Sequence, residues 1–260
     1  MVSKLSRNLN LVLAAADVKM KFNTPSSSLH HLRRAQYSCL YGYTSGRGFL
    51  REMQGSGIWI PLGNTLEGRA VRTLVETPDG IIFVGSDTGI FKSVDGCKTW
   101  KQVFAGDMVT TLVVANDIMI GGGLEGLLRS TDGGDQWELI RNKDGRALQA
   151  DIFDRGIAAI FTGASSPEAA TATGIFTKLL ASSDGGITWK SIDDNLPFGQ
   201  RRYDFKQAGE YLFCSLDTGI YRSDDLGMTW EFVYSTNAKE PYELMTFGQY
   251  VFAIRRIGGC

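Results

Sequence analysis

One segment recurs four times along the chain: Ser93 to Trp100 (SVDGCKTW), Ser130 to Trp137 (STDGGDQW), Ser182 to Trp189 (SSDGGITW) and Ser223 to Trp230 (SDDLGMTW). The shared template is Ser-x-Asp-x-Gly-x-Thr-Trp. A worn copy at 52–59 keeps Trp59 and loses the polar signature, so all 5 tryptophans occupy one repeat position. They are spaced at roughly 40 to 50 residues, the length of a four-stranded propeller blade. Ahead of each full box come apolar runs, such as Ile81–Val84, Ile118–Ile120 and Tyr211–Cys214. Glycine-opened runs such as Gly89–Lys92, Gly126–Arg129 and Gly219–Arg222 follow them. Each unit therefore reads as four short strands separated by turn signals.

The box has a structural logic. Ser and Asp side chains accept hydrogen bonds from backbone N–H groups in a tight turn, Gly supplies a positive φ, and Trp packs between adjacent sheets. On this reading Ser93, Asp95 and Trp100 hold one hairpin. Ser130, Asp132 and Trp137 hold the next, followed by Ser182, Asp184 and Trp189 and by Ser223, Asp225 and Trp230. Ser beside Asp also invites a catalytic reading, but four copies of the same turn need none.

The spacing predicts an all-β chain, one β-propeller domain over residues 1–260. Its boxes fall at about 52–59, 93–100, 130–137, 182–189 and 223–230. The tail from Leu244 to Ile254 supplies strands without a box, and Leu11–Ala15 with Val18–Phe22 supplies strands without a first half. Joining 1–30 and 243–260 in one shared closing blade removes two exposed sheet edges and gives six blades, or seven if the first 30 residues form more than half a blade.

Composition narrows function by exclusion. With 27 basic and 28 acidic residues the net charge is -1, which offers no general attraction to nucleic acid. The 31 glycines against 6 prolines suit many tight turns. Cys39, Cys97, Cys214 and Cys260 are widely spaced, with no CxxC pair, and adjacent His30 and His31 would point to opposite faces of a strand; no metal site and no cofactor is expected. No apolar run is long enough for a membrane-spanning helix. Lys4 and Arg7 ahead of Leu11–Ala16 faintly suggest a secretory signal, so the expected location is extracellular or periplasmic, with a soluble cytoplasmic protein as the alternative. A monomer is expected.

The boxes resemble the bacterial neuraminidase (BNR, or Asp-box) repeats. Together with Gly57-Ile-Trp59 and Val71–Glu76 they make the chain similar to bacterial exo-alpha-sialidase-like proteins from about residue 48 onward. The resemblance implies a propeller. For sialidases it also implies an arginine cluster gripping a carboxylate, a Tyr nucleophile with a Glu partner, and an Asp acid. The Arg-Ile-Pro motif that sialidases carry ahead of the first box is missing here.

In a propeller the opposite face from the boxes is formed by blade links and by the turns between second and third strands, and ligands usually bind there. That face is expected to gather Arg47, Arg69, Arg72 and Asp87, then Arg201, Arg202 and Asp217, with Asp151, Asp204 and Glu243 near the starts of inner strands. The stretch 194–204 mixes cation, aromatic and carboxylate, as sites for anionic or sugar ligands do. Two functions follow. One is a non-catalytic binding or scaffold propeller recognising a glycan or protein on the box-free face. The other is a sialidase-like glycoside hydrolase, with Arg69, Arg72 and Arg202 as the grip, Tyr203 and Glu243 as the nucleophile pair, and Asp151 or Asp87 as the acid.

Overall fold

The structure is a computed structural model that describes residues 11–14, 41–44, 48–52, 59–61, 66, 68–115, 117–141, 145–163, 177–235, 242–247 and 250–255. Strands dominate these residues, and they form six sheets. The first sheet holds β2 (Tyr41–Thr44), β3 (Gly48–Glu52) and β4 (Trp59–Pro61). The second holds β5 (Val71–Glu76), β6 (Ile82–Ser86), β7 (Gly89–Ser93) and β8 (Lys101–Ala105). The third holds β9 (Val109–Ala115), β10 (Ile118–Gly123), β11 (Gly126–Ser130) and β12 (Glu138–Arg141). The fourth holds β13 (Arg146–Phe153), β14 (Gly156–Thr162), β15 (Thr177–Ser182) and β16 (Lys190–Ser191). The fifth holds β17 (Arg202–Ala208), β18 (Tyr211–Leu216), β19 (Gly219–Ser223) and β20 (Glu231–Ser235). In the sixth, β21 (Tyr242–Phe247) pairs antiparallel with β22 (Tyr250–Arg255), and β1 (Leu11–Ala14) lies parallel to β22.

Sheets two to five are antiparallel meanders. The first strands touch in succession, β5 with β9, β9 with β13, β13 with β17 and β17 with β21, so they lie innermost. The cores form between consecutive sheets. Phe83 and Ile90 of the second sheet pack with Leu112, Met119 and Leu128 of the third. Ile120 and Leu127 of the third pack with Ile157, Ala159 and Phe161 of the fourth. The short apolar strands of the sequence exist because the third and fourth sheets each pack against a neighbour on both faces.

Each box closes the hairpin between the third and fourth strands of its sheet. In the second sheet Ser93 Oγ accepts the Cys97 N–H at 2.9 Å and donates to Asp95 at 2.9 Å. Asp95 in turn accepts the Lys98 N–H at 3.0 Å and the Thr99 N–H at 2.9 Å. The same pattern recurs around Ser130 and Asp132, Ser182 and Asp184, and Ser223 and Asp225. Two successive residues of each turn have positive φ; at Cys97 (φ 65) and Leu226 (φ 59) a side chain occupies that region. Trp137 and Trp189 close the loop by donating Nε1–H to Gly134 and Gly186 at 3.1 and 2.8 Å. Trp230 donates instead to Ile192 of the preceding sheet's link at 2.8 Å. Residues 53–58 of the worn copy, the stretch Val18–Phe22, His30, His31, Cys39 and Cys260 lie outside the described residues; Cys97 and Cys214 are buried.

A second repeat emerges at the opposite ends of the inner strands. Pairing skips one residue near the start of each: Arg72 in β5, Thr110 in β9, Leu148 in β13 and Tyr203 in β17. These are β-bulges, which bend a strand and re-aim a side chain.

Candidate functional site

The fifth sheet carries the best-organised polar cluster on the box-free face. The chain from the box of the fourth sheet runs outward through only two residues of β16 and then climbs as an irregular link, 192–201, to the start of β17. At its upper end the bulge presents Tyr203, whose hydroxyl donates to Asp217 Oδ1 at 2.7 Å. The other oxygen of Asp217 accepts the Arg201 N–H at 2.7 Å. The Arg201 guanidinium lies over the Tyr203 ring, 5.1 Å from its centroid. Gln200 Oε1 accepts the Thr218 hydroxyl at 2.7 Å, tying the link to the β18–β19 turn. Phe198, in the same link, is 85% exposed.

Arg202 behaves differently from its neighbour. Only 5% exposed, it places Nε 2.8 Å from Asp193 Oδ2, an ion pair without hydrogen-bond alignment, and donates Nη1–H to the Gln200 carbonyl at 2.8 Å. Its backbone N–H donates to Thr177 Oγ1 at 2.7 Å. Asp193 also accepts the Leu179 N–H at 2.9 Å and the Ser191 hydroxyl at 2.8 Å. Arg202 stands at the register position held by Val71, Val109 and Ala147 in the other sheets, all buried core residues. It is therefore a core residue with a buried counterion.

The remaining candidates separate rather than converge. Tyr203 bonds Asp217 and not Glu243, and burial, reinforced by Asp217, raises its hydroxyl to about 12, the wrong direction for a nucleophile. Glu243 is exposed as the second residue of β21. Asp151 was expected near the start of an inner strand; it lies late in β13, toward the box side, and pairs with Lys206 of β17. Asp204 is buried, and burial pushes its carboxyl up to about 6. It accepts hydrogen bonds from Gln149 of β13 and from the Leu244 N–H of β21, the latter at 2.7 Å, and so joins three inner strands.

Arg69 and Arg72 sit on the second sheet, with two sheets between them and Arg202. Arg69 lies 5.1 Å from the centroid of the Phe91 ring and donates to the Leu66 carbonyl at 3.2 Å. Arg72 occupies the bulge equivalent to Tyr203, with its Nε buried and without a hydrogen-bond partner. Asp87 is exposed in the β6–β7 turn, its N–H bonded to Ala70. Arg47 and the insertion at 164–173 lie outside the described residues. Sequence reasoning missed Asp193 and included Phe198 only as part of the stretch 194–204. Asp193 is announced only by the charge of Arg202 at an apolar register position, which becomes visible once the strands are aligned; Phe198 differs from Leu196 of the same link in being exposed rather than buried.

No protein-family model and no curated protein matches the sequence. Solved structures do. A GH74 enzyme of Niastella koreensis superposes with a TM-score of 0.55 at 18% identity, covering 77% of this chain and 37% of that one. A GH74 xyloglucanase from Xanthomonas campestris gives 0.54 at 17%, covering 75% and 36%. The extracellular domain of the putative hybrid two component system BT3049 from B. thetaiotaomicron gives 0.56 at 11%, covering 84% and 32%. The chain thus spans about a third of the length of these structures. At such identities the likeness concerns the fold alone, and the fold they share with this chain is a β-propeller.

Proposed function

We propose that this chain is a non-catalytic binding propeller, one six-bladed ring over residues 1–260, whose box-free face recognises a glycan or protein ligand. The observation that carries this reading is the cluster of Arg201, Tyr203 and Asp217 beside exposed Phe198. An exposed aromatic next to fixed polar groups suits the C–H face and hydroxyls of a sugar, which favours the glycan. The xyloglucanase among the structural neighbours adds support for a carbohydrate ligand, and the extracellular domain of the putative hybrid two component system supports a location outside the cytoplasm. The ring acts as a monomer in this reading.

Sialidase-like hydrolysis finds less support. Arg202 is engaged with Asp193, Tyr203 with Asp217 and Asp151 with Lys206, while Arg69, Arg72 and Asp87 belong to the second sheet, with two sheets between them and Tyr203. A carboxylate grip needs convergent charge-assisted hydrogen bonds. The test pairs a glycan array with hydrolysis assays on fluorogenic sialosides and other glycosides, using the wild type and Phe198→Ala. Glycan binding lost in the variant, with no turnover, supports the reading. Turnover of any substrate overturns it.

A further inference from the structure

We propose that the subsite around Arg201 takes a carboxylate carried by the ligand, so that the glycan recognised is an acidic, uronate-type one; the inference rests on the binding function given above. Arg201 is held from two directions. Its backbone N–H is anchored on Asp217, and its guanidinium lies on the ring of Tyr203, whose hydroxyl is anchored on the same carboxylate. The side chain is thereby fixed before any ligand arrives, which lowers the ordering cost of binding.

Among the described residues this guanidinium makes no hydrogen bond or ion pair, and its Nε is buried without an acceptor. Nearby cations are treated otherwise. Arg202 has Asp193, Arg222 has Glu231 and Lys206 has Asp151. Asp217, the neighbouring carboxylate, is engaged by the Arg201 N–H and the Tyr203 hydroxyl rather than by the guanidinium, so a partly desolvated Nε–H is left without an acceptor, which is costly. A neutral sugar hydroxyl recovers little of that cost, whereas a planar carboxylate matches the guanidinium fork in charge and shape. Phe198, three residues earlier in the same link and open to solvent, offers the apolar surface against which the sugar ring bearing that carboxylate would lie.

The experiment is calorimetric titration of the intact protein with a galacturonate trisaccharide, its methyl ester and a neutral xyloglucan oligosaccharide, repeated with Arg201→Gln and Phe198→Ala. The free acid is expected to bind about tenfold or more tightly than the ester, and to weaken with added salt. Arg201→Gln, checked for an unchanged melting temperature, brings the acid down to the level of the ester. Equal binding of acid and ester, untouched by Arg201→Gln, overturns the carboxylate inference and leaves glycan binding standing. Absence of binding by all three, with a blank glycan array, overturns both.

Discussion

Asp204 Oδ2 accepts the N–H of Leu244 at 2.7 Å across the gap between the fifth and sixth sheets. The bond ties two inner strands through a side chain, as Thr111 does by bonding both the N–H and the C=O of Ala150 between the third and fourth sheets. Side chains thus supply the polar stitching that sheets, hydrogen-bonded only within themselves, do not provide.

The Asp204 carboxyl, raised by burial to about 6 from 3.8, binds a proton in the folded state that the unfolded chain releases between roughly pH 4 and 6. The stability contributed by this group is complete below about pH 4 and is lost as pH rises through about 6. Thermal melts are expected to show a higher Tm near pH 5 than near pH 7.5. Asp204→Asn keeps an acceptor for Leu244, removes that slope, and gains on the order of 2 kcal/mol at the higher pH. A slope unchanged in the variant contradicts this assignment.

Arg202 and Asp193 form a buried pair, so removing one charge strands the other. Arg202→Val is expected to cost about 3–5 kcal/mol in denaturant unfolding. Combining it with Asp193→Asn, which retains an acceptor for the Leu179 N–H, recovers most of the loss, because valine already fills this register position at Val71 and Val109. Additive losses in the double variant argue against the pair as described.

Ser93 Oγ is the acceptor for the buried Cys97 N–H. Ser93→Ala leaves that donor unsatisfied and costs about 1–3 kcal/mol, measured by chemical denaturation. Ser93→Thr, which keeps the hydroxyl, restores part of the difference. Asp184 and Asp225, each held down to about 2 by hydrogen bonds within their boxes, add stability above the usual carboxylate range that disappears as pH falls toward 2.

Gly89 opens β7 at φ +118, where a Cβ would meet the Phe104 carbonyl oxygen at 2.0 Å. Gly89→Ala combines backbone strain with a clash that only movement of β8 relieves. It is expected to lower Tm by more than any single box substitution, while Phe198→Ala, on an exposed residue, leaves Tm within about 0.5 kcal/mol equivalent of wild type.

The repeat was legible because its residues act locally: Ser93, Asp95 and Thr99 close a turn with groups a few residues away, and the same need imposes nearly the same residues four times. The bulges were illegible because a bulge depends on cross-strand register, and Arg72, Thr110, Leu148 and Tyr203 share no chemistry. The site was half legible. The mixture of charge and aromatic from Arg201 to Asp204 stood out, but adjacent Arg201 and Arg202 look equal in the sequence, and only the placement of Asp193 separates an open cation from a buried one. Asp151 misled because its distance from the strand start depends on where β13 begins.

Most pairings here are between neighbours in the chain: each meander can form as soon as its own residues are present. The exception is β1 on β22, where Leu11 meets Val251 across nearly the whole sequence. Closing so long a loop carries the largest chain-entropy penalty in the molecule, and nothing offsets it until the intervening meanders have assembled and brought the ends near. Folding should therefore proceed as quick local zippering followed by one slow latch, and the sixth sheet is then the first to lose a strand.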